Sequence, residues 1–153
     1  MPHPEGGYFK EIYRADEKYS AEYLPDRYSG NRNFSTSIYF MLTGEDVSNF
    51  HRLQSDELWH FYDGSSIIIY LLNEKEGFRT ITLGKNLTDD EVYQTTIDRG
   101  VWFAAELKDK KSFSLIGCTV SPGFDFKDFE LADRKILSEQ FPQHKDLIER
   151  FTK

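Results

Sequence analysis

The stretch NFHRLQSDELWHFYDG, residues 49–64, alternates apolar and polar side chains on both sides of a short polar break at Gln54-Ser-Asp56. Successive residues of a β-strand point to opposite faces. In the first half Asn49, His51 and Leu53 therefore share one face, and Phe50 and Arg52 the other. In the second half Glu57, Trp59 and Phe61 line up against Leu58, His60 and Tyr62. A polar residue capable of chemistry thus stands among apolar ones on one face of each strand; if those faces line a barrel, His51 and Glu57 point into its cavity. Asp63-Gly64 closes the stretch as a hairpin signal.

The same grammar extends outward. FSTSIYFML (34–42), SIIIYLLN (66–73), FRTITLG (78–84), VWFAAEL (101–107) and SFSLIGCTV (112–120) read as short strands separated by turn residues. SIIIYLL is too apolar to face water on either side. Many short strands at regular spacing predict a sandwich or barrel, and 16% aromatic residues suit its interior. After residue 131 the period becomes helical: Ile136, Leu137 and Phe141 share one stripe, Pro142 ends it, and Leu147, Ile148 and Phe151 form the next. No repeat or linker divides residues 1–153, so one domain is expected.

The net charge of −7 and pI near 5.1 set the chain against nucleic acid and anionic membrane surfaces. The lone Cys118 forms no disulfide within the chain and reads as a small buried residue. No apolar run is long enough to cross a bilayer and the first residues do not resemble a signal peptide, so a cytoplasmic protein is expected. A second copy of the chain is the expected protein partner, a two-fold dimer covering apolar strand edges.

GEDVSNFHRLQSDELWHFYDG (44–64) places a histidine, a glutamate six positions on and a glycine seven beyond that. This resembles the first motif of the cupin superfamily, in which two histidines and a glutamate bind a metal inside a small jelly-roll barrel. His51 and Glu57 match the first histidine and the glutamate, whereas Leu53 stands at the second histidine. DRGVWF (98–103) is similar to the second motif, with Phe103 at its histidine. Leucine and phenylalanine offer no lone pair, so no metal and no other cofactor is expected. A degenerate metal site of His51, Glu57 and His60 is the alternative. HPEGGYFKEIYRA (3–15), WHFYDG (59–64) and GCTVSPGFDFKDFEL (117–131) further resemble the cupin-5 family of small cupin-like proteins. That likeness implies an all-β, cupin-type double-stranded β-helix with short C-terminal helices.

The family in turn resembles the metal-free dTDP-4-keto-6-deoxysugar 3,5-epimerases, which implies His51 as a catalytic base and Glu11, in GYFKE, as a site glutamate. On this reading neutral His51 removes a proton beside the carbonyl of a keto-sugar or nucleotide-sugar, and Glu57 orients it or stabilises the enolate. Tyr39, Trp59, Phe61, Trp102 and Phe103 are candidates to stack on the small-molecule ligand, with His60 beside them. Arg32, Arg14 and Arg99 are candidate anion clamps. A metabolite-binding protein without catalysis is the rival reading. The glycine pair of HPEGGYF reads equally as a loop over the barrel mouth or as a tight turn into the first strand.

Overall fold

The strand pattern folds into two five-stranded sheets packed face to face, in a computed structural model describing residues 1–153. In chain order the strands are β1 (Tyr8–Arg14), β2 (Lys18–Tyr19), β3 (Arg32–Asn33), β4 (Thr36–Thr43), β5 (Val47–Leu53) and β6 (Glu57–Gly64). There follow β7 (Ile67–Asn73), β8 (Gly77–Leu83), β9 (Gln94–Ile97), β10 (Trp102–Leu107), β11 (Phe113–Val120) and β12 (Phe129–Leu131). Helices α1 (Arg134–Gln140) and α2 (Lys145–Arg150) close the chain. One sheet runs β1-β4-β11-β6-β9 and the other β12-β5-β10-β7-β8, while β2 and β3 form a small ribbon. Sequence neighbours such as β5 and β6 lie in opposite sheets, the mark of a jelly roll.

Asp63-Gly64 is therefore not a hairpin. β6 pairs with β11 and β9, and β7 with β10 and β8, so the chain crosses between sheets there. Gly64 takes φ +92°, and a Cβ on it would lie 2.1 Å from the Phe113 carbonyl oxygen. The glycine serves a corner instead of a two-residue turn.

The interior divides along the strands. Phe61, Leu42, Ile67, Ile69, Leu71 and Ile116 fill one half with apolar side chains. A second core lies outside the other sheet: Phe50, Leu72, Trp102 and Ala104 pack under Leu137, Phe141, Ile148 and Phe151 of the helical segment. SIIIYLL thus has no wet face, since Ile67, Ile69 and Leu71 face the interior and Leu72 lies beneath the helices. The chain's own C-terminus covers a surface that otherwise argued for a second copy. Asp133 caps α1 by accepting a hydrogen bond from the Ile136 amide at 3.0 Å. Pro142 cannot continue the helix. Ile136 points outward at 57% exposure, so the apolar stripe of α1 is narrower than its periodicity suggests. No helix is long and apolar enough to cross a membrane.

Candidate functional site

One end of the sandwich stays hollow. A cavity of about 310 Å³ lies between the inner faces of β1, β4, β6 and β11 on one side and of β5 on the other. His51, Glu57, Trp59 and Glu11 all contribute to its wall, as the alternation and the resemblance require. Most of the rest is apolar, with Phe9, Ile38, Phe40, Leu53, Val120 and Phe129. Cys118, read as ordinary core, is also on the wall, and burial raises its thiol well above the ordinary value, so it stays protonated.

Other candidates lie elsewhere. Phe61 faces inward but belongs to the packed half, one strand repeat beyond the cavity. Phe103 is buried behind the site, its ring 4.0 Å from that of His51, where it fixes the imidazole without touching the hollow. Trp102, adjacent on the strand, must point the other way. It lies in the outer core beneath the Arg52 guanidinium, which is 4.3 Å from its ring. Tyr39 is on the outer face of its sheet, edge-on to Tyr62. His60 alternates with Glu57 and Trp59 and takes no part in the cavity wall, which removes the metal set of His51, Glu57 and His60. Arg32 is buried in a fork on Asp128, at 2.5 and 2.6 Å, and is not on the cavity wall. Arg99 is an exposed partner of Asp56.

The sequence reading missed the residue that completes the site. Glu5 arrives on the N-terminal strap and is 5% exposed. Its carbonyl accepts from the Asn49 amide at 2.8 Å, and its carboxylate accepts from Ser48 Oγ at 2.9 Å. Its Oε2 lies 3.0 Å from His51 Nε2. His51 Nδ1 is 2.8 Å from the Asn49 carbonyl, so both ring nitrogens face acceptors. This is the geometry of a pair able to take up one proton at the Nε2–Oε2 contact. Burial pushes the imidazole below its ordinary value, against the pull of Glu5 and Asn49. Burial also opposes ionisation of Glu5, but His51, His3 and Ser48 outweigh it and hold the carboxyl low. His51 is therefore not a free imidazole but one half of a buried pair with Glu5.

Glu57 is in the opposite state. It is 8% exposed and forms no ion pair, and burial followed by repulsion from Glu5 pushes it up to about 8. Trp59 and Cys118 approach it and pull slightly the other way. The Trp59 indole N–H closes no hydrogen bond at all.

Both readings of HPEGGYF hold in part, since the strap turns tightly, with His3 N bonded to the Gly7 carbonyl at 3.0 Å, and also carries Glu5 into the barrel. Gly6 has φ +117°, and a Cβ there would lie 2.0 Å from the Val47 carbonyl oxygen. Gly6→Ala should displace the strap, with a loss of about 1–3 kcal/mol. The check is a denaturation midpoint together with the His51 ring resonances, which move only if Glu5 leaves.

The donor set does not suit a cupin-type metal ion. Leu53 and Phe103 occupy the positions of two ligands, and no group of three or more His, Cys, Asp or Glu residues is arranged to hold one.

Residues 1–132 match the family Cupin_5, described as Cupin superfamily (DUF985). An uncharacterized protein of Saccharomyces cerevisiae is 33% identical over 140 residues, 84% of this chain and 68% of that protein. A solved structure of a Shewanella oneidensis protein is similar at 36% identity and TM-score 0.88, covering 100% of this chain and 90% of that one. A hypothetical protein from Leishmania major gives 32% identity and TM-score 0.87, over 99% and 92%. Oxalate decarboxylase from Bacillus subtilis shares the fold alone, at 14% identity and TM-score 0.59 over 98% of this chain and 36% of that one.

Proposed function

Because the chain belongs to the Cupin_5 family of the cupin superfamily, we propose that its barrel is a small-molecule site that moves a proton on its ligand without a resident metal, as an isomerase or epimerase does. One observation carries this reading: two buried carboxyl groups share the cavity in opposite surroundings, Glu5 paired with His51 at 3.0 Å and held low, Glu57 without an ion pair and pushed up to about 8. Environments that separate two titratable groups in this way assign an acid and a base. The Glu5–His51 pair is the base. It takes one proton at the Nε2–Oε2 contact, and the depressed basicity of the imidazole leaves that position open to be filled near neutral pH. Glu57 is the acid.

The chemistry that follows is proton abstraction beside a carbonyl, with Glu57 donating to the oxygen as the enol forms. A hollow of about 310 Å³ is within the range of small-molecule sites and takes a free keto-sugar or a single-ring ketone.

The test is deuterium exchange. Protein in D₂O is incubated with a panel of ketones and keto-sugars, and NMR follows loss of the proton next to the carbonyl. Exchange is expected with the wild type, and His51→Asn or Glu57→Gln should slow it by about 10²-fold or more. Binding by calorimetry without exchange of any compound would instead establish the rival reading, a metabolite-binding barrel.

A further inference from the structure

The cavity's polar atoms are arranged for one kind of ligand and against another. Trp59 is 1% exposed and on the cavity wall, and its indole N–H has no partner. A buried donor left unpaired is costly, and the one acceptor that approaches it, the Glu57 carboxyl, closes no bond with it. Glu57, two residues before it on the same inward face of β6, has no ion pair, and only the Trp59 indole and the Cys118 thiol approach it as donors. Glu5 and Cys118 face Glu57, and Ile97 of β9 lies across from it. No cation stands there, so the carboxyl keeps its proton and has an O–H to give. Two neighbouring donors thus await one acceptor.

Anions meet the reverse. Arg14 is the one lysine or arginine on the wall, and it is already paired with a carboxylate, four of its five N–H groups being spent on protein acceptors. Its Nε and Nη2 fork onto Glu11, and its Nη1 bonds the Asn33 side chain at 3.0 Å and the Phe124 carbonyl at 3.1 Å. Glu5, Glu11, Glu57 and Asp125 face the same space. A phosphate or carboxylate entering it finds acceptors and no free cation.

We infer that the ligand is an uncharged, largely apolar carbonyl compound about the size of one substituted ring, its oxygen received by the Trp59 N–H and the Glu57 carboxyl, and that phosphorylated and carboxylated molecules are turned away. The inference rests on the reading of this cavity as a proton-transfer site and names its substrate class. The step balances: the base takes the proton from carbon, the C–H electron pair becomes the C=C bond, the C=O pair moves to oxygen, and Glu57 supplies the proton that forms the O–H. Return of that proton to Glu57 and reprotonation at carbon by the base regenerate both groups.

Three one-ring probes test it: acetophenone, benzoate and phenyl phosphate, titrated while the two tryptophan indole N–H resonances are followed. Acetophenone should shift the Trp59 signal, and the two anions should bind at least about tenfold more weakly. Trp59→Phe, which keeps a ring but removes the donor, should weaken acetophenone about tenfold with the unfolding midpoint little changed and should assign the signal. Equal or tighter binding of either anion overturns the inference, as does an acetophenone titration that moves only the Trp102 signal. Three silent probes alongside deuterium exchange of some other compound overturn the inference while sparing the proton-transfer reading. Silent probes with no exchange from any compound remove both.

Discussion

Arg32→Ala is expected to lower stability by about 3–5 kcal/mol, because it strips the counter-charge from a buried carboxylate. Arg32 is 3% exposed and Asp128 5%. The guanidinium meets the carboxylate through Nε and Nη2, and its Nη1 caps the Gly30 and Asn31 carbonyls at 3.0 and 2.9 Å. With Arg32 gone, Asp128 must protonate or draw in water, and two carbonyls lose their donor. At this chain length each kcal/mol corresponds to about 2–4 °C in Tm, so a fall of about ten degrees is the thermal readout. The double replacement Arg32→Met with Asp128→Leu should recover most of the loss, since a buried ion pair gives little over a well-packed apolar one. An Arg32→Ala protein within 1 kcal/mol of wild type would show that the fork is ornamental. The damage would reach the cavity as well, because Asp128 sits between Phe126 and Phe129, both on its wall.

Glu57→Gln should leave stability near pH 5 almost unchanged and raise it markedly above pH 8. In the unfolded chain the Glu57 carboxyl titrates at its ordinary value of 4.5, and in the folded protein at about 8. Between the two, the folded state holds a proton that the unfolded state has released, so stability falls as pH rises. The contribution is complete below the ordinary value and is lost as pH climbs through about 8. The size is on the order of 5 kcal/mol. Glu5 runs the other way: its carboxyl is held low, so its contribution is present above the ordinary carboxylate range and disappears on acidification. Glutamine at 57 cannot ionise, and its denaturation midpoint should pull ahead of wild type as pH increases. Two midpoint-against-pH curves that stay parallel from pH 5 to pH 9 would contradict this account.

Period-two alternation was enough to bring His51, Glu57 and Trp59 into one hollow, because a single buried face specifies register along a strand. The same alternation sets His60 on the face opposite Glu57 and separates Trp102 from Phe103. Gly64 marks a real local requirement, yet whether the next strand folds back or crosses to the other sheet depends on partners fifty residues distant, as Phe113 shows. The Arg32–Asp128 fork joins residues 96 positions apart and leaves no local trace. Glu5 was the costliest omission. Its only signal is the glycine pair behind it, which says that the backbone comes close to something but not that the something is β5.

The separation of Trp59 and Trp102 into two different cores has a practical consequence. These are the chain's two tryptophans, excitable selectively over its nine tyrosines, one on the cavity wall and the other under the C-terminal helices. Trp102→Phe therefore leaves a single tryptophan emitter, a van der Waals neighbour of whatever fills the barrel and close to the Glu57 carboxyl, whose ionisation changes the local field on the indole. Its intensity and wavelength then report occupancy and carboxyl titration in one cuvette. The complementary Trp59→Phe protein reports only whether the helices remain docked.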